Sequence, residues 1–189
     1  MCIRDRVGAG EPLMFLSGKF SQLVELETTY LQLIGPASVA AYNAFKMCTD
    51  LPNTAFMAMD ARHCAGARMH ELMAYGASVG SNKAKKEVNA KGFIGSSCKS
   101  TSYFFKSEHA LGTMPHALIG YAGSTLEAAK FYHNTFPDEP LTVLVDYFGK
   151  EISDTLEVCK YYEKLIKEKN LLIRLDTHGG RYIDCLLYT

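Results

Sequence analysis

The sequence predicts an α/β protein with a parallel sheet, and three features of the 189-residue chain lead to that expectation. From residue 52 onward, short apolar runs alternate with segments of helical periodicity. A β-α-β-α order of this kind joins parallel strands through right-handed crossovers. The run Leu141-Thr-Val-Leu-Val-Asp146 is almost unbroken in its apolarity, as suits a strand covered on both faces. Successive apolar runs also end in chemically capable side chains: Asp60 and Arg62, Ser96 and Ser97, His116, Asp146, then Arg174, Asp176 and His178. In parallel α/β proteins the C-terminal ends of strands gather the active site. A barrel and an open doubly wound sheet both fit this order.

The elements follow in turn. Leu13 to Leu16 is a possible strand, and residues 20–49 suggest two helices broken at Gly35-Pro36, because proline supplies no N–H and clashes with the preceding turn. Thr54 to Met59 is expected as a strand, with a helix from about Ala67 to Val79. Gly92 to Gly95 forms a short strand leading into a helical Ser97 to Phe105. Leu111 to Met114 is expected as another strand, stopped at Pro115 and His116, with a helix across Leu126 to Asn134. After the strand ending at Asp146, a helix is expected, with apolar residues at Ile152, Leu156, Cys159, Tyr162 and Ile166 close to a 3.6 period. Leu171 to Asp176 is the last predicted strand, and no internal repeat is present.

Composition narrows the functional classes. Hydrophobic residues make up 48% and charged residues 21%, with twenty basic against twenty acidic side chains. That balance leaves no basic footprint for nucleic acid. No apolar run approaches the roughly 20 residues of a membrane helix. The six cysteines are scattered without a C-x-x-C pair, so neither a zinc site nor a disulfide framework is expected, and reduced thiols in the cytoplasm fit better. His63, His70, His109 and His133 lack metal-ligand spacing, and the eight methionines suit a core-filling role. Residues 1–6 and about 185–189 resemble end sequences that recur in translated metagenomic reads. They are expected to be non-native, with the natural protein extending beyond both ends.

Several residues could carry chemistry, each with a structural alternative. Arg62 stands between a predicted strand and helix, where a guanidinium suits phosphate or carboxylate recognition; it could equally cap a neighbouring element. In Gly95-Ser96-Ser97 the small residues allow close backbone approach and the hydroxyls can donate to a ligand, or Ser97 can serve as a plain N-cap. His116, in Gly112-Thr-Met-Pro-His116, can accept a phosphoryl group or shuttle a proton, or be a hydrogen-bonded core histidine. Arg174 and Asp176 share one face of a strand, where charge is costly unless paired; a sugar diol, a phosphate or a structural salt bridge would satisfy them.

Taken together, these segments resemble the nicotinate phosphoribosyltransferase family in its bacterial branch. Ala61-Arg62-His63 is similar to F-G-T-R-R, Gly92-Phe-Ile-Gly-Ser-Ser97 to G-G-F-x-G-T-S, and Gly112-Thr-Met-Pro-His116 to G-T-M-A-H. Val145-Asp146 matches the V-D strand end, and Ile173-Arg-Leu-Asp-Thr177 is similar to V-R-L-D-S. The agreement in order and spacing runs over about residues 12–184, so residues 7–184 are expected to be part of the catalytic region, inactive on their own. The resemblance implies an irregular α/β barrel of the type II phosphoribosyltransferase kind, with some N-terminal-domain elements. It implies condensation of nicotinate with phosphoribosyl pyrophosphate, coupled to ATP hydrolysis, giving nicotinate mononucleotide and pyrophosphate. His116 then matches the histidine phosphorylated by ATP, Arg62 the arginine near nicotinate and phosphate, and Ser97 the pyridine-recognition position. Arg174 and Asp176 match the ribose-phosphate contacts, Mg2+ accompanies the pyrophosphate, and the intact enzyme is expected to be a homodimer. The chain departs from the pattern at Met59, where relatives carry a ring-stacking aromatic, and at His63, which replaces a second arginine. A relative using nicotinamide or quinolinate, and a non-catalytic metabolite-binding barrel, are the rival readings.

Overall fold

The computed structural model describes residues 7–168 and 170–176. These form a mixed helix-and-strand protein of the general α/β class, and the chain divides into two compact units at Leu111/Gly112. Among the described residues no helix is long and apolar enough to cross a membrane.

The first unit is built on two long helices and a small sheet. A short helix α1 (Phe20–Leu23) and a 3-10 turn lead into α2 (Glu27–Asp50). The expected break at Gly35-Pro36 does not occur: α2 runs through Pro36 as one helix. Proline withholds one backbone bond, but the helix is held by packing along α3 (Ala67–Val88) that no isolated segment could supply. Glycine makes that packing possible. A Cβ on Gly76 would lie 2.3 Å from the Ala37 carbonyl oxygen, and one on Gly80 would lie 2.0 Å from that of Ala41. Strands β1 (Ala55–Ala58) and β2 (Gly92–Ser96) pair in parallel around α3, as the crossover pattern predicts. Phe45, Cys48, Ala58, Ala84 and Phe93 are buried together in the core of this unit. Helix α4 (Lys99–Ser102) and a 3-10 turn over Tyr103–Phe105 fill the helical stretch expected after β2.

Two expected strands are missing. Leu13 to Leu16 has no strand partner among the described residues and leaves Phe15 87% exposed. Residues 111–114 are likewise outside any strand, although the Leu111 N–H donates to the Ser96 carbonyl. Apolar composition marks a run as strand-like, but a strand exists only where a neighbour completes its ladder.

The second unit begins with α5 (His116–Ala122) and α6 (Thr125–Thr135). Ser124 caps α6 by accepting from the Glu127 N–H, which follows from its Ser-Thr-Leu-Glu start. Strands β3 (Leu141–Leu144) and β4 (Leu171–Arg174) pair in parallel in the register Leu141↔Leu171 to Leu144↔Arg174, joined through α7 (Glu151–Tyr161) and α8 (Glu163–Lys167). Met114, Ile119, Leu141, Val143, Leu144, Val145 and Val158 are essentially inaccessible; each such side chain stabilises by about 1.5–3 kcal/mol. The apolar stripe predicted for α7 is only partly the buried one. Tyr162 joins Val158 inside, but Ile152 and Leu156 are exposed and line a shallow apolar groove with Ile173 and Leu175.

Candidate functional site

In the second unit three of the predicted site residues come together. The Val145 N–H donates to the Arg174 carbonyl, extending the β3–β4 ladder by one step and setting Asp146 just past it. Asp146 is 2% exposed, and both of its carboxylate oxygens are used. Oδ1 meets His116 Nε2 at 2.9 Å, and Oδ2 accepts the Asp176 backbone N–H at 2.8 Å. His116 is the first residue of α5, and Pro115 before it has extended backbone. A carboxylate can only accept, so Nε2 is the nitrogen that donates to Asp146, and in the neutral ring Nδ1 then carries the lone pair. Nδ1 faces Asp176 Oδ2 at 3.7 Å, too far for a hydrogen bond. The His116 side chain remains about one-third exposed, whereas the carboxylate behind it is sealed.

Arg174 completes the group. Its Nη2 lies 2.6 Å from Asp176 Oδ1, and its Nη1 donates to the Thr113 hydroxyl. Asp176 lies two residues past the end of β4 rather than on it, and the charged pair satisfies itself there, with the Asp176 side chain 31% exposed. In chemical terms the cluster offers an oriented, partly open imidazole nitrogen. Beside it stand a guanidinium with remaining N–H donors and a carboxylate able to accept from a hydroxyl.

Arg62 and Ser97 belong to the first unit, at the ends of its two strands. Arg62 lies in a 3-10 turn (Ala61–His63), is exposed, and has no ion-pair partner among the described residues. Ser97 does not cap α4: its N–H donates to Ala58, and the N-cap position belongs to Cys98. The neighbouring Ser96 accepts the Cys98 N–H and is wholly buried. Behind these residues runs a polar chain that the sequence did not reveal. Ser96 Oγ lies 2.8 Å from Thr101 Oγ1, which lies 3.3 Å from His70 Nε2, which in turn lies 3.9 Å from Asp60 Oδ2. Asp60 Oδ1 is buried without a hydrogen-bond partner. The Cys64 thiol lies 3.6 Å from Asp60, and burial first, then the Asp60 charge, push its pKa up. It is thus a neutral thiol rather than a nucleophile.

Among the described residues no group of three or more His, Cys, Asp or Glu could hold a metal ion. Asp146 has both oxygens occupied and Asp176 is matched to Arg174, so the donor set offers no ready-made cage. A divalent ion would fit here only as one carried in on phosphate oxygens.

Asp146 and Asp60 were both visible as strand ends. Their pairing with His116 and His70 was not, because those partners lie on other elements and no spacing rule connects them. His178 lies outside the described residues. The chain matches no family model, no curated protein and no solved structure.

Proposed function

We propose that this protein is a nicotinate phosphoribosyltransferase, built as part of an irregular α/β barrel, that condenses nicotinate with phosphoribosyl pyrophosphate at the expense of ATP. The observation that supports this reading most is the His116–Asp146–Asp176–Arg174 cluster at the ends of two parallel strands. Three separate sequence motifs, each similar to that family, supply its members.

In this reading Asp146 holds His116 through Nε2, and Nδ1 attacks the terminal phosphorus of ATP, releasing ADP. Asp146 also stabilises the imidazolium character that develops as the new N–P bond forms. The phosphorylated ring differs by about two negative charges from the free one, which changes the electrostatic field felt by a neighbouring pyrophosphate. Hydrolysis of that phosphohistidine then resets the site. Asp176 accepts from the ribose hydroxyls and Arg174 donates to phosphate oxygens, which requires their mutual ion pair to loosen when substrate arrives. Magnesium enters with the phosphate groups of the substrates. Arg62 and Ser97 are assigned to the nicotinate carboxylate and ring on the strength of the sequence resemblance.

The test is direct. Full-length protein incubated with γ-labelled ATP should acquire acid-labile, base-stable label, and full-length His116→Asn should acquire none. Equal label in both proteins would remove His116 from this role.

A further inference from the structure

Tyr121, Tyr147 and Phe148 are among the exposed aromatic side chains of the second unit. Tyr121 projects freely at 90% exposure, whereas Tyr147 is held in place. It follows directly after Asp146, whose two hydrogen bonds fix the backbone there. Phe148 braces it edge-on, with ring centroids 4.8 Å apart at 83°. Its hydroxyl end rests over Gly120, where a Cβ would come within 2.5 Å of the phenol oxygen and 3.0 Å of the ring carbon bearing it. The missing side chain at Gly120 is thus the recess that seats the ring. Tyr147 nevertheless remains 42% exposed, and its centroid lies 6.3 Å from that of the His116 imidazole.

We propose that Tyr147, braced by Phe148 and seated over Gly120, is the platform on which the pyridine ring of the substrate stacks beside His116. This rests on the phosphoribosyl-transfer reading above and adds to it a specificity-determining residue. A fixed ring with an open face loses little conformational freedom when a second ring covers it, and heteroaromatic rings favour offset stacking on such a face. The His116–Tyr147 separation is already that of two rings in contact, so the ligand ring must lie on the outward face of Tyr147 rather than between them. Proximity also decides which ring. The adenine of ATP is separated from its terminal phosphate by a ribose and the rest of the phosphate chain. With that phosphate at His116, the base sits at the far end of that chain, and the adenosine arm of the test separates the two rings. A pyridine carboxylate has no such tether.

The experiment is equilibrium dialysis of labelled nicotinate, and separately of adenosine, against full-length wild type and the full-length variants Tyr147→Ala, Tyr147→Phe and Gly120→Ala. Labelling by γ-labelled ATP and thermal melting are followed in the same samples. Nicotinate affinity should fall about fivefold to tenfold in Tyr147→Ala, the size of one aromatic stacking contact, and stay within about twofold in Tyr147→Phe, which keeps the ring. Gly120→Ala, which keeps the tyrosine but fills its recess, should also weaken nicotinate, and adding Tyr147→Phe should recover part of that loss. This arm carries the test if Tyr147→Ala melts too low to assay. Unchanged nicotinate affinity in Tyr147→Ala and Gly120→Ala overturns the proposal, as does a loss confined to adenosine. Wild-type protein that takes no label from ATP, yet binds nicotinate through Tyr147, refutes the phosphoryl-transfer reading alone and leaves the platform standing.

Discussion

Each unit places a histidine beside a strand-end carboxylate, and the two arrangements differ in one decisive respect. His70 is 10% exposed at its side chain, is 3.9 Å from Asp60, and continues inward through Thr101 to the buried Ser96. His116 is 36% exposed, is bonded to Asp146 at 2.9 Å, and turns its other nitrogen toward a half-open carboxylate. In the first unit the carboxylate is loosely placed and the histidine is closed in by hydroxyls. In the second the carboxylate is locked and the histidine is left reachable. A sealed polar chain specifies how helix and strands fit together; an anchored but accessible imidazole is what a reaction needs. Similar residues at similar positions in the topology therefore receive different assignments.

The largest effect that would sharpen this contrast is expected at Asp146. Asp146→Asn can donate to His116 from its amide and so favours the wrong tautomer. Label transferred from ATP should fall by about 100-fold or more; the corresponding change in a Ser-His-Asp triad lowers the rate by about 10,000-fold. Rapid-quench labelling measures it, and a mutant that labels at the wild-type rate would make Asp146 merely a buried structural acid. Asp176→Asn comes next. Its volume is unchanged and its backbone N–H still reaches Asp146, so melting should shift little. Efficiency with phosphoribosyl pyrophosphate should drop about tenfold, equivalent to 1.4 kcal/mol. A large loss of melting temperature with undiminished turnover per folded molecule would instead make the Arg174–Asp176 pair a structural salt bridge. The smallest effect concerns the sealed histidine. His70→Leu should cost about 1 kcal/mol of stability in denaturant melts by leaving Thr101 with one partner fewer, while ATP labelling stays at its wild-type level. Labelling that vanishes in His70→Leu would reverse the roles given to the two histidines.

Much of the frame was legible in advance. Both parallel strand pairs, the helices between them and the gathering of His116, Arg174 and Asp176 followed from apolar runs and the residues that close them. The segments that misled did so for a common reason. Pro36 disfavours a helix locally, and Leu13 to Leu16 favours a strand locally, yet each outcome was set by whether a distant neighbour was present. Helix α3 lies along α2, but among the described residues no strand pairs with residues 13–16. The apolar stripe of α7 leaves Ile152 and Leu156 exposed, because periodicity gives the angle between side chains and not the side from which cover comes. In the same way, no one-dimensional pattern could show that Asp146 would meet a residue thirty positions earlier.

The two glycines of α3 also have a meaning for alternative states. Ala37 stands opposite Gly76 and Ala41 opposite Gly80, so the contacts rise together along two helices running the same way. Sliding α3 by one turn in one direction would bring Ala84 opposite the Ala41 carbonyl; sliding it the other way would bring Leu72 opposite that of Ala37. Either shift drives a Cβ into backbone oxygen at a distance no real contact tolerates. Apolar burial alone would accept several alignments of two such helices. This pair excludes its nearest competitors by collision, so the register of the first unit is encoded as much by two missing side chains as by the ones that pack.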